Sequence, residues 1–433
     1  MGVKPPNTPM TQASPQPSPQ MTATLALRVV LPFALGYFLS YLYRAVNAVI
    51  APDLVQDLGL QAGTLGLMTA AYFLTFAAIQ LPLGILLDRY GPKRVEAVLL
   101  IFAAIGAALF AWADTLQSLV LARALIGFGV SACLMASFKA YVMWFPLERL
   151  PLVNGVQLAA GGLGALAATA PVEALLGFTD WRGVFWILAA ITAIAAVLIF
   201  TIVPNKDAGD RHASLKDALG GVIHIFKSPL FWRVAPWTVA AQATFLAVQS
   251  LWVGPWFMDV LGLDPHAAAL NLFWIAAAMV AGYLSWGVVA DRLHKISDVR
   301  PMRVAGIGMG VFWISQVFIT TEWAVTLDAT WPGAALAAWV IFGFSGTSGL
   351  LPYAALSQAF PSKLAGRVNT GLNLVVFVIA FIVQWAVGAI IDLWPAATEG
   401  GYGREGYQAA FAILLALQAL GIAWYVWKRR IRI

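Results

Sequence analysis

Gly84-Ile-Leu-Leu-Asp88-Arg89 closes one long apolar stretch, and Gly287-Val-Val-Ala-Asp291-Arg292 closes another at the matching place in the second half of the chain. Around this repeat lie twelve apolar stretches, near 28–50, 64–87, 94–112, 118–142, 152–176, 182–203, 232–257, 267–290, 302–320, 333–356, 367–391 and 408–427. Each is close to the ~20 residues that a helix needs to cross a bilayer. A charged phrase repeated at the ends of stretches two and eight points to a duplicated unit. The spacing predicts an all-α membrane protein of twelve transmembrane helices, arranged as two pseudo-symmetric six-helix bundles.

Composition agrees. The chain is 61% hydrophobic and 11% charged, too apolar for 433 residues to bury in water. Its net charge of +6 raises the question of nucleic acid, which the placement of the charges answers. With odd-numbered helices running outward, 21 of the 26 Lys and Arg fall on one side. Only Arg182 and Arg404 fall on the other, and Arg44, Arg123 and Lys139 lie inside spans. That asymmetry is the positive-inside rule, so both termini read as cytoplasmic and nucleic acid is not expected as a partner. Localisation is therefore expected in the plasma membrane, the inner membrane if the source is bacterial. Cys133 is the sole cysteine, which excludes an intrachain disulfide and reads as a buried filler.

Residues 1–23 are rich in Pro, Ser, Thr and Gln and read as a disordered cytoplasmic tail, with Met1 or Met21 as the start. Residues 24–205 and 231–428 are the two expected bundles, and 429–433 form a basic tail. The linker, 206–230, contains Leu215, Leu219, Val222 and Phe226 at i, i+4, i+7 and i+11, an amphipathic stripe. It suits a helix along the cytoplasmic membrane surface, or one packed under the bundle.

Gly84 and Gly287 permit close helix approach, and Asp88 and Asp291 suit acceptance of hydrogen bonds from a neighbouring helix N-terminus. Gly84-x-x-x-Asp88-Arg89-x-Gly91-x-Lys93-Arg94 resembles the loop 2–3 signature of the major facilitator superfamily, and the Gly287 phrase resembles its degenerate copy. Leu121-Ala-Arg123-Ala-Leu-Ile-Gly127-Phe-Gly129 is similar to that family's helix 4 motif, and Asp180-Trp-Arg182-Gly-Val-Phe185 to its entry into helix 6. The resemblance covers nearly everything after residue 24. It implies secondary transport by alternating access, with a conformational latch at Gly84, Asp88, Arg89, Gly91, Gly287, Asp291 and Arg292. Pro92 stands where the family often has a basic residue, which implies fewer latch contacts.

An ionisable side chain inside a span is a functional candidate, because it is costly to keep there. Arg44 shares a helix face with Tyr37 and Tyr41, with Ser40 and Asn47 on adjacent turns. A guanidinium in that stripe suits a carboxylate or phosphate held by two parallel hydrogen bonds. A structural arginine paired with backbone carbonyls is the plain alternative. Arg123 reads as cavity-lining or as a packing residue of its motif. Lys139 reads as snorkelling to the inner interface. Gln242, Gln249 and Trp252 on the seventh span, and Asn373 and Gln384 on the eleventh, are the substrate-binding candidates of the second half; interhelical hydrogen bonding is their alternative. No Asp or Glu is expected at a span centre, and Glu173 is the fallback for proton coupling.

The leading expectation is a monomeric secondary transporter of a small organic anion. A coupling proton or sodium ion, or a counter-transported anion, completes its partners besides substrate and bilayer. A multidrug or metabolite exporter and a sugar or peptide permease are the alternatives. Export is disfavoured because Ala168-Thr169 replaces the Gly-Pro of the exporters' helix 5 motif. A non-transporting receptor on the same fold is the alternative from another class. No enzyme is expected, since His212, His224, His266 and His294 lie outside the spans, and no cofactor or metal is expected. A phosphate-binding Gly-x-x-x-x-Gly-Lys-Ser/Thr loop does not occur.

Overall fold

In the computed structural model, residues 23–206, 215–396 and 401–428 are described. All but the last residue of the expected tail 1–23, the tail 429–433, and residues 207–214 near the start of the expected linker lie outside them. The described residues are helical or in short connections, without strands. Among the described residues, eleven helices are long and apolar enough to cross a membrane.

In the first half, α1 runs Ala23–Ala45 and continues, after a break at Val46, as Asn47–Leu58. It is followed by α2 (Ala62–Tyr90) and α3 (Pro92–Ala111). The next, α4, is Leu116–Val130 joined to Cys133–Trp144, and α5 is Leu150–Ala167 joined to Ala170–Leu176. Trp181–Ile202 is α6, whose 22 residues span roughly 33 Å at the α-helical rise. Helix starts have local causes: Thr115 and Ser118 form a reciprocal capping box for α4, and Asp180 accepts from the Gly183 N–H ahead of α6. The turn from α2 to α3 passes through Gly91 at φ +81°, a conformation open to glycine at little cost.

The second half opens with α7, assembled from Pro229–Ala247, a π turn at Val248–Trp252, and Val253–Asp259. These three pieces supply the twelfth crossing. After it come α8 (Pro265–Ser297) and α9 (Pro301–Thr320). In α10, Ala334–Gly346 passes through the tighter turn Thr347–Leu350 into Leu351–Ala359. Ser362–Ile391 is α11 and Arg404–Trp427 is α12.

The halves meet along three seams, α2 with α11, α5 with α8, and α1 with α7. We call the end bearing the α2–α3 and α8–α9 turns the basic face, and the opposite end the far face. At the far face, the Ala62 and Gly63 N–H groups donate to the Asp392 carboxylate at 2.9 and 2.7 Å. The first backbone N–H groups of a helix lack internal partners, so an acid from the facing helix satisfies them. Pro52 cannot donate to the Ala48 carbonyl, and Gly254 of α7 packs against that carbonyl. The linker helix, Leu215–Phe226, buries Val222 and Ile225 and packs against α2 and α11. It packs on the bundle with Leu219 and Ile223 exposed.

Two glycines depart from their expected role. A Cβ added at Gly84 or Gly287 would meet open space, so neither allows a close helix approach. Close approach occurs elsewhere, at Gly127 against the Tyr72 carbonyl and at Gly164 against the Phe38 carbonyl.

Candidate functional site

The face of α1 carrying Tyr37, Tyr41 and Arg44 turns toward the second half. Arg44 is 7% exposed, and its guanidinium carbon lies 4.6 Å from the Tyr41 ring centre and 5.5 Å from that of Phe76. Phe377 of α11 lies 5.6 Å away, so the cation sits on the seam between halves. Phe76 and Phe377 stack at 4.3 Å across that seam. Tyr41 also reaches over, donating to the Tyr283 hydroxyl of α8 at 3.4 Å. Aromatic faces attract a cation but supply no counter-charge, and although the guanidinium bonds the Tyr72 hydroxyl it keeps donors for an anion. The Arg44 Nε has no hydrogen-bond partner, and among the described residues no carboxylate lies within ion-pair distance of Arg44.

The other first-half candidates divide. Tyr37 is buried, edge-on to Tyr41 at 5.1 Å, and belongs to the Arg44 cluster. Asn47 is wholly buried and donates to Thr69 at 2.8 Å, leaving its Oδ1 unpartnered. Arg123 donates to the Tyr43 carbonyl at 3.0 Å and lies 5.4 Å from the Tyr72 ring centre, which gives it a packing role. In the second half, Gln242 donates to the Gly346 carbonyl at 2.9 Å, within that half. Gln249 is half-buried. Trp252 is buried with its ring N–H unpartnered. Gln384 is buried, accepts from Ser250 at 3.4 Å, and has an unpartnered amide nitrogen. Asn373 accepts from Tyr353 at 3.5 Å. These amides therefore do not converge on Arg44 as one ring of contacts.

The latch candidates also sort by geometry. Asp88 pairs with Lys139 of α4, within its own half, instead of meeting a helix N-terminus. Lys139 accordingly does not snorkel free. Asp291 pairs with Lys295 one turn along α8 at 2.7 Å, on the surface, so the copy of the motif makes no interhelical contact through its acid. Arg89 lies over Tyr90, and Arg292 is exposed. The role expected of Asp88 is filled at the far face by Asp392.

Glu173 stands at the far face, bonded to His266 of α8 at 2.9 Å. It ties α5 to α8 rather than sitting beside Arg44. A different acid is in the interior. Glu96 of α3 is fully buried, with Oε1 against Gly36 and near Cys133, and neither carboxylate oxygen has a hydrogen-bond partner. Glu96 lies about one turn inside the start of α3, so the expectation of no acid at a span centre stands beside a buried acid near a span end. Glu96 follows Arg94 closely in the chain, so it reads as the edge of a span; only the packing of α1 and α4 over it encloses it.

Family comparison follows this geometry. The sequence model of the Major Facilitator Superfamily matches residues 33–300, more than half of the chain. The chain belongs to the Major Facilitator Superfamily. Among its relatives in this superfamily is a protein of Cupriavidus necator named as a probable sulfoacetate transporter, 25% identical over 64% of this chain and 68% of that protein. A probable L-galactonate transporter of Escherichia coli is 22% identical over 82% and 80%. A hexuronate transporter of Bacillus subtilis is 23% identical over 90% and 94%. The crystal structure of a bacterial homologue of the human lysosomal transporter Spinster superposes with a TM-score of 0.74 over 95% of this chain and 98% of that one, at 16% identity. That likeness fixes the superfamily fold of this multi-pass membrane protein.

Proposed function

We propose that this protein is a secondary transporter of a small organic anion, with Arg44 as the group that holds the anion. The carrying observation is the buried Arg44 on the seam of the halves, ringed by aromatics and without a carboxylate. A buried charge without a partner is costly, so the site favours a ligand that brings the opposite charge. An anion there touches both halves at once, which couples its binding to their relative position. Tyr37, Tyr41 and Asn47 offer hydroxyl and amide groups on the same helix. Arg123 supports this centre by packing on Tyr72, while Gln242, Gln249, Trp252, Asn373 and Gln384 offer polar groups in the second half without converging on Arg44. Several relatives carry names of sulfonate or sugar-acid transporters, and that class of solute suits a guanidinium flanked by hydroxyls.

In this reading both termini are cytoplasmic, the basic face is the inner one, and the membrane is the cytoplasmic membrane. The latch runs through Asp88 and Lys139, with Arg89 and Gly91 shaping the turn. Purified protein screened by thermal shift against sulfonates, sugar acids, phosphate esters, neutral sugars and cationic drugs tests the ligand class, since binding stabilises the folded state. Stabilisation by organic anions, followed by their counterflow in proteoliposomes, is expected. Stabilisation only by neutral or cationic compounds overturns the anion assignment, and binding without counterflow makes the protein a receptor.

A further inference from the structure

Two cavities on the outer surface of the first half adjoin each other. At the basic face, a cavity of about 430 Å³ is lined by Arg89, Lys93, Arg94 and Lys206, with no acid among the described residues of its wall. Asp88, the nearest acid in sequence, is engaged by Lys139. Among the described residues none of the four cations pairs with a carboxylate. Lys93 donates to Asn205 at 3.0 Å, and Lys206 donates to the Met143 carbonyl and lies over the Trp144 ring at 4.9 Å. Four like charges gathered around one hollow repel one another unless an anion joins them.

Directly beyond this hollow an apolar groove of about 680 Å³ follows the seam between α3 and α6. Its floor is made of small residues, including the buried Ala97, Ala189 and Ala196. Its walls are large and exposed: Ile101, Ile105, Trp186 and Phe200. Small residues between bulky ridges make a channel on a surface that faces hydrocarbon. From Ala97 to Ala108 it runs roughly 16 Å at the α-helical rise, beginning about one turn inside the basic end of α3. Lys93 joins the two sites, its ammonium 5.7 Å from the ring centre of Phe200.

We propose that the pair of cavities is a binding site for one anionic phospholipid of the leaflet at the basic face. The phosphate-bearing headgroup occupies the hollow, and one acyl chain lies in the α3–α6 groove. The charge of the hollow, the apolar groove that begins about a turn farther along α3 and α6, and Lys93 touching both select this occupant over a soluble anion, which has no use for the groove. Clusters of Lys and Arg beside spans attract anionic headgroups at about 1 kcal/mol per charge near the surface. This inference does not rest on the transported substrate, because the site lies on the lipid face of one half and not on the seam.

The test uses the purified full chain and native mass spectrometry, with phosphatidylglycerol and phosphatidylcholine of equal chain length as probes and glycerol phosphate as the headgroup alone. Wild type is expected to prefer phosphatidylglycerol by at least tenfold and to bind glycerol phosphate weakly. The double variant Lys93→Gln, Lys206→Gln is expected to lose that preference while still binding phosphatidylcholine. Ala193→Trp fills the groove from its exposed side and is expected to weaken phosphatidylglycerol at least fivefold without altering glycerol phosphate. Equal binding of the two lipids by wild type, or a preference that survives the double variant, overturns the proposal. Glycerol phosphate binding as tightly as the lipid makes the hollow a soluble-anion site and also overturns it. Thermal midpoints of both variants within a few degrees of wild type establish that they fold.

Discussion

Arg44 shows what a single side chain decides. Its neighbours are rings rather than acids, so the guanidinium has attraction from several sides but no fixed counter-charge. Lys in its place keeps the charge but loses the flat fork of donors, and Arg44→Lys is expected to weaken anion binding. Arg44→Gln is expected to weaken it further, by on the order of 2–5 kcal/mol for a fully desolvated pair. Calorimetric titration of each variant with the best ligand from the screen checks both. Affinities equal to wild type reduce Arg44 to a structural residue. Arg44 was visible in the sequence because a lone cation in an apolar run stands out. Glu96 was not, because its burial depends on Gly36 and Cys133 from other helices.

Between elements, the seams turn on where a Cβ has room. Gly254 abuts the Ala48 carbonyl of α1, a backbone obstacle that no rotamer change relieves. Gly254→Ala is expected to cost roughly 1–3 kcal/mol of apparent stability through overpacking. Gly84→Ala, which faces open space, is expected to lie within about 0.5 kcal/mol of wild type or to gain slightly in helix propensity. Thermal unfolding of the two variants side by side separates a packing glycine from a motif glycine, and equal midpoints refute the distinction. Asp88 belongs to this scale as well. Its pairing with Lys139 fixes the α2–α3 turn to α4, so Asp88→Asn is expected to slow transport while ligand binding persists. Loss of binding together with transport would place Asp88 in the site itself.

For the whole molecule, the bonds between Asp392 and the start of α2, and between Glu173 and His266, close the far face. Orientation in the membrane follows from charge placement and is open to direct measurement. Cys133 is buried, so single cysteines report on their own positions. Phe178→Cys, at a position 90% exposed on the far face, is expected to react with an impermeant thiol reagent applied to intact cells. Ile296→Cys, at a position 79% exposed on the basic face, is expected to react only after the membrane is opened. Reaction of both from outside overturns the assignment of faces.

Hydrophobic length, the placement of cations and the repeated Gly-x-x-x-Asp-Arg phrase determined the membrane class, the helix count and the two-fold arrangement. These depend on transfer energies along a single helix, and one strand of sequence carries them in full. Partner choice is different, because rotating a helix about its axis exchanges all of its neighbours without altering its own periodicity. Only the tertiary structure therefore decided that Asp88 meets Lys139, that Asp392 serves the start of α2, and that Arg123 packs on a helix 1 carbonyl while Arg44 faces the seam. The same reason separates Gly84 from Gly254: both permit an approach, and only the position of the neighbouring backbone determines which approach is made.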